Sequence, residues 1–216
     1  MKKVLIAILC VFVMSSAKSQ ESQGFNNHEI MFGVGYFSHD ATLTKWSLVL
    51  DRLGQLFVKY YEIPGLKRFG DYHISYKYKP IERLMVGGTF VWTGTKSEVF
   101  QRTGNGIALK PSMKMGDLRY NFFTLAVELN AIYVNTTNFK LYGNFGLGYT
   151  LGFIGYTTLD TMNDTYVGSE KRTKRWNHFN FQISPLSFRF GNNIGGFLEM
   201  GWGYKGIFCG GMFVNF

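Results

Sequence analysis

Residues 195–216 read GGFLEMGWGYKGIFCGGMFVNF. Taken with a period of two, Leu198, Met200, Trp202 and Tyr204 fall on one side, and Glu199, Gly201 and Gly203 on the other. After Lys205-Gly206 the alternation resumes, with Phe208, Gly210, Met212, Val214 and Phe216 against Cys209, Gly211, Phe213 and Asn215. A period of two means strand, and two such runs around a Gly-containing turn mean a hairpin. One side is apolar, aromatic and Met-rich. The other holds Gly, Asn and an acid. A half-buried sheet in water and a sheet facing lipid both fit this pattern.

Working outward, the same alternation recurs through the chain. Ile30, Phe32, Val34 and Tyr36 form a first strand, and Tyr72, Ile74, Tyr76 and Tyr78 a second, over His73, Ser75, Lys77 and Lys79. A face that charged cannot pack in an ordinary apolar core, but it suits a barrel lumen, where charges pair. Leu84 to Trp92, Tyr120 to Tyr133 and Phe139 to Phe153 supply three more strands. In the sixth, Phe179, Phe181 and Ile183 face one way, and then the phase flips to Leu186, Phe188 and Phe190 with Pro185 at the switch. A Pro and a one-residue slip together predict a β-bulge. The final hairpin brings the count to eight strands, with ten as the rival if residues 44–61 formed a hairpin. That stretch instead repeats Trp46, Val49, Leu50, Leu53, Leu56, Phe57 and Tyr60 at three and four, an amphipathic helix pattern interrupted by Gly54. Such a helix would pack on its own loop, on the barrel rim or on the membrane surface. The long connections fall at about 38–70, 94–117 and 155–174, and short turns lie between them.

Long and short connections alternating, and a last strand with Met212, Val214 and Phe216 on its apolar side, resemble the bacterial outer-membrane β-barrels. Their C-terminal strand closes the barrel and usually finishes in an aromatic. The resemblance implies an all-β fold, an eight-stranded antiparallel up-and-down transmembrane β-barrel of the small OmpA/OmpX-like class. It also implies a monomer in the cell outer membrane, in contact with membrane lipid and lipopolysaccharide and recognised through its C-terminal strand by the barrel-assembly machinery. The implied role is non-enzymatic, structural or in surface interaction, without a cofactor.

Composition agrees with this architecture. The chain has 216 residues, aromatics are 18%, and glycine numbers 26 against four prolines, a balance that suits antiparallel sheet better than helix. Mean hydropathy is −0.04, too polar for a helical membrane protein. Barrels escape that criterion because only half of each strand faces lipid. Residues 1–17, MKKVLIAILCVFVMSSA, show a positive start at Lys2 and Lys3, a short apolar run and small residues for cleavage, the pattern of a secretory signal. Residues 18–28 then form a polar lead-in and 29–216 the barrel. With the leader removed Cys209 is the only cysteine, so neither an internal disulfide nor a Cys-based metal site is expected. The formal charge is +9 including Lys2 and Lys3, and the loops carry slightly more base than acid. A basic outer rim favours phosphate-bearing lipopolysaccharide. A secreted chain excludes a nucleic-acid role.

The inward acids and bases are His73, Lys77, Glu128, Lys140, Arg189 and Glu199, expected as a lumen network of paired charges. An eight-stranded barrel is just wide enough for side chains to fill it, which argues against a wide pore but leaves a narrow channel as an alternative. No phosphate-binding loop, zinc motif or nucleophile elbow appears, and His28, His39, His73 and His178 lie far apart in sequence without metal-ligand spacing. His73-Ile74-Ser75 resembles the His-x-Ser of outer-membrane lipid A deacylases over three residues, which makes His73 and Ser75 an alternative catalytic pair. A soluble periplasmic barrel for an apolar ligand is the remaining rival.

Overall fold

A computed structural model of the chain describes residues 27–40, 61–62, 67–103, 110–162 and 165–216. Strands β1 (His28–Tyr36), β2 (Tyr61–Glu62), β3 (Lys67–Ile81), β4 (Leu84–Thr103), β5 (Lys110–Asn135), β6 (Phe139–Met162), β7 (Thr165–Gly191), β8 (Ile194–Gly203) and β9 (Phe208–Asn215) make nearly all of it. The leader and the helix expected over 44–61 lie outside the described residues, apart from Tyr61 at the start of β2.

Each long strand pairs antiparallel with its neighbours in sequence. β1 then joins β9 from Glu29↔Asn215 to Tyr36↔Phe208, which closes the ring. Eight strands form that ring, and the two-residue β2 only extends it beside Phe100 and Gln101 of β4. The seam is completed at its lower end, where His28 N–H donates to Phe216 C=O at 3.1 Å and Phe216 N–H to His28 C=O at 2.9 Å. A ring without an edge satisfies every ladder hydrogen bond internally, as a lipid environment demands.

The two faces are inverted relative to a protein built for water. Phe179 is 86% exposed and Val127 71%, whereas Lys77, on the opposite face, is wholly buried. The barrel therefore spans a membrane with an apolar outside and a charged axis. The expected bulge is present, because β7 slips against β8 between Ile183 and Leu186. Ser184 and Ser187 face inward there, and Pro185 and Leu186 face out together.

Four expectations need correction. The connection expected over 94–117 is largely strand, since β4 runs to Thr103 and β5 starts at Lys110, with Lys96 opposite Arg119 and Ser97 opposite Leu118. The connection expected over 155–174 is likewise a continuous hairpin that pairs down to Met162↔Thr165. The first long connection ends earlier than Gly70, because β3 begins at Lys67. All three extensions stand above the apolar belt. Their inner face carries buried polar residues, Thr95 and Ser97 among them, so apolar alternation is not what holds these strands. The fourth correction concerns Tyr204, which does not share the outer face of Leu198 and Trp202 but is fully buried in the lumen. Gly203 adopts φ 145°, a backbone state side chains resist, and this turns the chain inward before the Tyr204-Lys205 turn.

Candidate functional site

The lumen is the first place to look for chemistry. Lys77 projects inward from β3, Glu128 from β5 and Glu199 from β8, as alternation requires. Lys205 reaches down from the β8–β9 turn. Its Nζ lies 2.7 Å from Glu128 Oε1 and 3.3 Å from Glu199 Oε2. Lys77 Nζ lies 3.1 Å from Glu128 and 3.9 Å from Glu199, and donates to Asn130 Oδ1 at 3.1 Å. Tyr204 donates its hydroxyl to Glu128 and Tyr142 donates to Glu199, each at 2.8 Å. Two ammoniums thus face two carboxylates, a neutral quartet buttressed by phenols. Paired and hydrogen-bonded charges of this kind are the form in which a low-dielectric interior tolerates ions.

A second neutral pair lies toward the lower end. Arg189 of β7 donates to Glu29 of β1 across the barrel. Its guanidinium stacks 4.4 Å above the Tyr142 ring, and Met31 and Met85 line the same space. Lys140 pairs with Arg189 in the ladder but is half-buried at the rim, and among the described residues it makes no ion pair. Five of the six expected lumen residues are therefore deeply buried: His73, Lys77, Glu128, Arg189 and Glu199. Glu29, Tyr142, Tyr204 and Lys205 complete the arrangement. Glu29 was legible as the residue two before inward Met31, whereas Lys205 carried no alternation signal.

The inward glycines make room for these groups. A Cβ at Gly146 would collide with the Tyr204 hydroxyl, and one at Gly33 would lie 2.5 Å from His73 and 2.7 Å from Phe197.

His73 and Ser75 both turn into the lumen and are buried, closed off from lipid. Ser75 Oγ accepts from Thr89 Oγ1 at 2.8 Å, and His73 Nε2 lies 3.8 Å from the buried Cys209 sulfur. A deacylase-like reaction needs its nucleophile open to the acyl chain, and this pair faces the wrong way.

The upper lumen is polar but uncharged at its centre. Thr124 and Thr150 hydroxyls lie 2.7 Å apart, and Asn180 donates to Thr150 at 3.1 Å and to Asp40 at 3.0 Å. Higher on the inner face of the tall wall, Leu118, Tyr120 and Phe122 cluster with Ile154. On the outer face, register aligns Lys96 of β4 with Arg119 of β5, and Phe153 of β6 with Arg175 of β7, respectively two rows and one row above the lipid-facing Trp92, Phe123 and Leu151. Arg119 and Arg175 are exposed, and Lys96 lies 3.8 Å from Asp117.

No protein-family model matches the chain, and no curated protein matches it either. Among solved structures, the crystal structure of Ail, the attachment invasion locus protein of Yersinia pestis, in complex with the heparin analogue sucrose octasulfate, is similar to this chain. The two are 10% identical, the alignment covers 87% of this chain and 94% of that one, and the TM-score is 0.39. The fold assignment rests on the closed strand ladder of the chain itself.

Proposed function

We propose that the chain is a non-enzymatic protein of the bacterial outer membrane, of the small OmpA/OmpX-like barrel class, with a structural or surface-interaction role in the cell envelope. The observation that carries this reading is the charge-neutral, fully buried quartet of Lys77, Lys205, Glu128 and Glu199 inside a ring whose outside is apolar. Ions that neutralise one another hold a lumen shut, which leaves neither a wide water path nor an open reaction site. In this reading residues 1–17 direct export, the β9 strand with Met212, Val214 and Phe216 is the segment presented to the barrel-assembly machinery, and the barrel acts as a monomer.

The upper wall supports the surface role. β8 last pairs with β7 at Gly203↔Gln182, and Tyr204 N–H reaches Phe181 C=O at 3.1 Å. Above Phe181 no described strand pairs with that edge of β7. Lys96, Arg119 and Arg175 sit on the outer face just above the aromatic rows, and cations there would attract the phosphate groups of lipopolysaccharide.

The test is expression of the full chain in a Gram-negative host. The expected result is recovery in the outer-membrane fraction, as a band that migrates differently before and after boiling. Recovery as a soluble periplasmic protein would overturn the reading, and so would discrete conductance steps from the purified protein in planar bilayers.

A further inference from the structure

The four histidines are scattered in sequence, yet two of them meet at the outer mouth of the barrel. β1 ends at Tyr36, and Phe37 takes φ 62°, a left-handed kink that is uncommon for a bulky residue. The kink carries the chain over the β8–β9 turn, where Ile207 N–H donates to Tyr36 C=O at 2.9 Å. His39 lands against β7 and β8, its ring 5.6 Å from that of Trp202 and 6.2 Å from that of Phe181. Asp40 follows, almost fully buried at 1% exposure. It meets His178, which points inward from β7 with Nε2 2.7 Å from Asp40 Oδ1. The His39 and His178 ring centroids are 6.5 Å apart.

Neither imidazole is fully used by the protein. Nδ1 of His39 and Nδ1 of His178 are both buried without a hydrogen-bond partner among the described residues, and such atoms in native proteins ask for an explanation. One ligating atom from each of His39, Asp40 and His178 lies within 4.8 Å of the other two. Zinc holds imidazole nitrogen at about 2.0–2.1 Å, so the ion would take the place of the His178–Asp40 hydrogen bond while the wider-spaced ligating atoms draw in by about an ångström. The carboxylate is already oriented for that role. Asn180 donates to its second oxygen at 3.0 Å and is itself held on Thr150, the kind of outer support that fixes metal ligands.

We propose that His39, Asp40 and His178 form a binding site for a divalent transition metal of the zinc class. Two imidazoles and a carboxylate suit zinc and disfavour magnesium or calcium, which take all-oxygen shells. Three protein ligands leave a fourth position for water or for a donor from outside. The ion would clamp the segment that leaves β1 to β7, across the gap left by the short β8–β9 turn. Binding displaces any proton held by the ligating nitrogens to solvent.

The experiment uses the full mature chain without an affinity tag, folded in detergent and titrated with Zn²⁺ alone by calorimetry. One ion per chain is expected, and an equal concentration of Mg²⁺ should not compete. His178→Ala and His39→Ala should each weaken binding by more than about tenfold, and Asn180→Ala by about tenfold. Asp40→Asn keeps the shape of its side chain and is the variant to use if a histidine variant fails to show the heat-modifiable band. His28→Ala, at the opposite end of the barrel, should bind as the wild type does. Absence of saturable Zn²⁺ binding by the folded wild type would overturn the proposal, as would unchanged affinity in the His39→Ala/His178→Ala double variant or in folded Asp40→Asn.

Discussion

Below the level of the β8–β9 turn, eight strands share one closed ring. Above it, β4 to β7 continue as a tall wall, reaching Thr103 on β4 and Met162 on β6. The two regions are held by different physics. In the ring, side chains point at a common axis, so charged groups find partners on strands that their own strand does not pair with, as Glu29 finds Arg189 and Lys77 finds Glu128. In the wall, stability comes from ladder hydrogen bonds and from neighbours on the same face, and water can replace what is lost. Damage in the ring should therefore be expensive, and damage to the outer face of the wall cheap.

The sharpest way to break this contrast is to strand a buried charge. Arg189→Ala leaves Glu29 buried without its cation, and removing one partner of such a pair costs about 3–5 kcal/mol. Urea unfolding in lipid vesicles should show that loss, and the joint variant Arg189→Met/Glu29→Met should recover most of it. A loss in the joint variant as large as in the single one would mean that packing, and not charge, dominates the site. On the outside of the same ring, Val127→Arg places a charge on a side chain that is 71% exposed toward lipid. A cation near the bilayer midplane costs about 2–4 kcal/mol. The same vesicle assay should report it, and in detergent micelles, where the head group finds water easily, the loss should shrink.

A smaller effect tests the fit of the lumen. Gly146→Ala drives a methyl group into the Tyr204 hydroxyl, and overpacking of this kind costs about 1–3 kcal/mol. Replacing Tyr204 by Phe in the same chain should relieve part of the clash, although it gives up the hydrogen bond to Glu128.

The ring was also the more legible region in sequence. Alternation in 72–79, 123–133 and 139–153 assigned inward and outward faces that the structure repeats, and the phase flip at Pro185 located the bulge. Alternation is a local signal, so it reports which face a side chain is on but not whom it meets. The residues missed in the network show that limit. Lys205 lies in a turn, and Tyr204 changes face because of the φ of Gly203. Proximity of His39 to His178 depends on the kink at Phe37 and on how far around the ring β7 lies from β1. The wall was read as loops because its polar strands, such as Thr93-Gly94-Thr95, lack the apolar period that lipid imposes lower down.

The weakest expected effect on stability is the one that best separates the regions. Arg119 and Arg175 are exposed on the outer face of the wall, and Arg175 donates to Asn177 at 3.2 Å. Surface substitutions away from packed features stay within about 0.5 kcal/mol, so Arg119→Ala/Arg175→Ala should unfold at nearly the wild-type urea concentration. Its association with lipopolysaccharide should nevertheless fall, because each basic group near an anionic surface contributes about 1 kcal/mol. Vesicles with and without lipopolysaccharide, compared at low and high salt, would show a loss confined to the lipopolysaccharide vesicles and erased by salt. If the double variant binds both vesicles as the wild type does, the basic rows are ordinary solvated surface, and the wall's contribution would have to come from other residues.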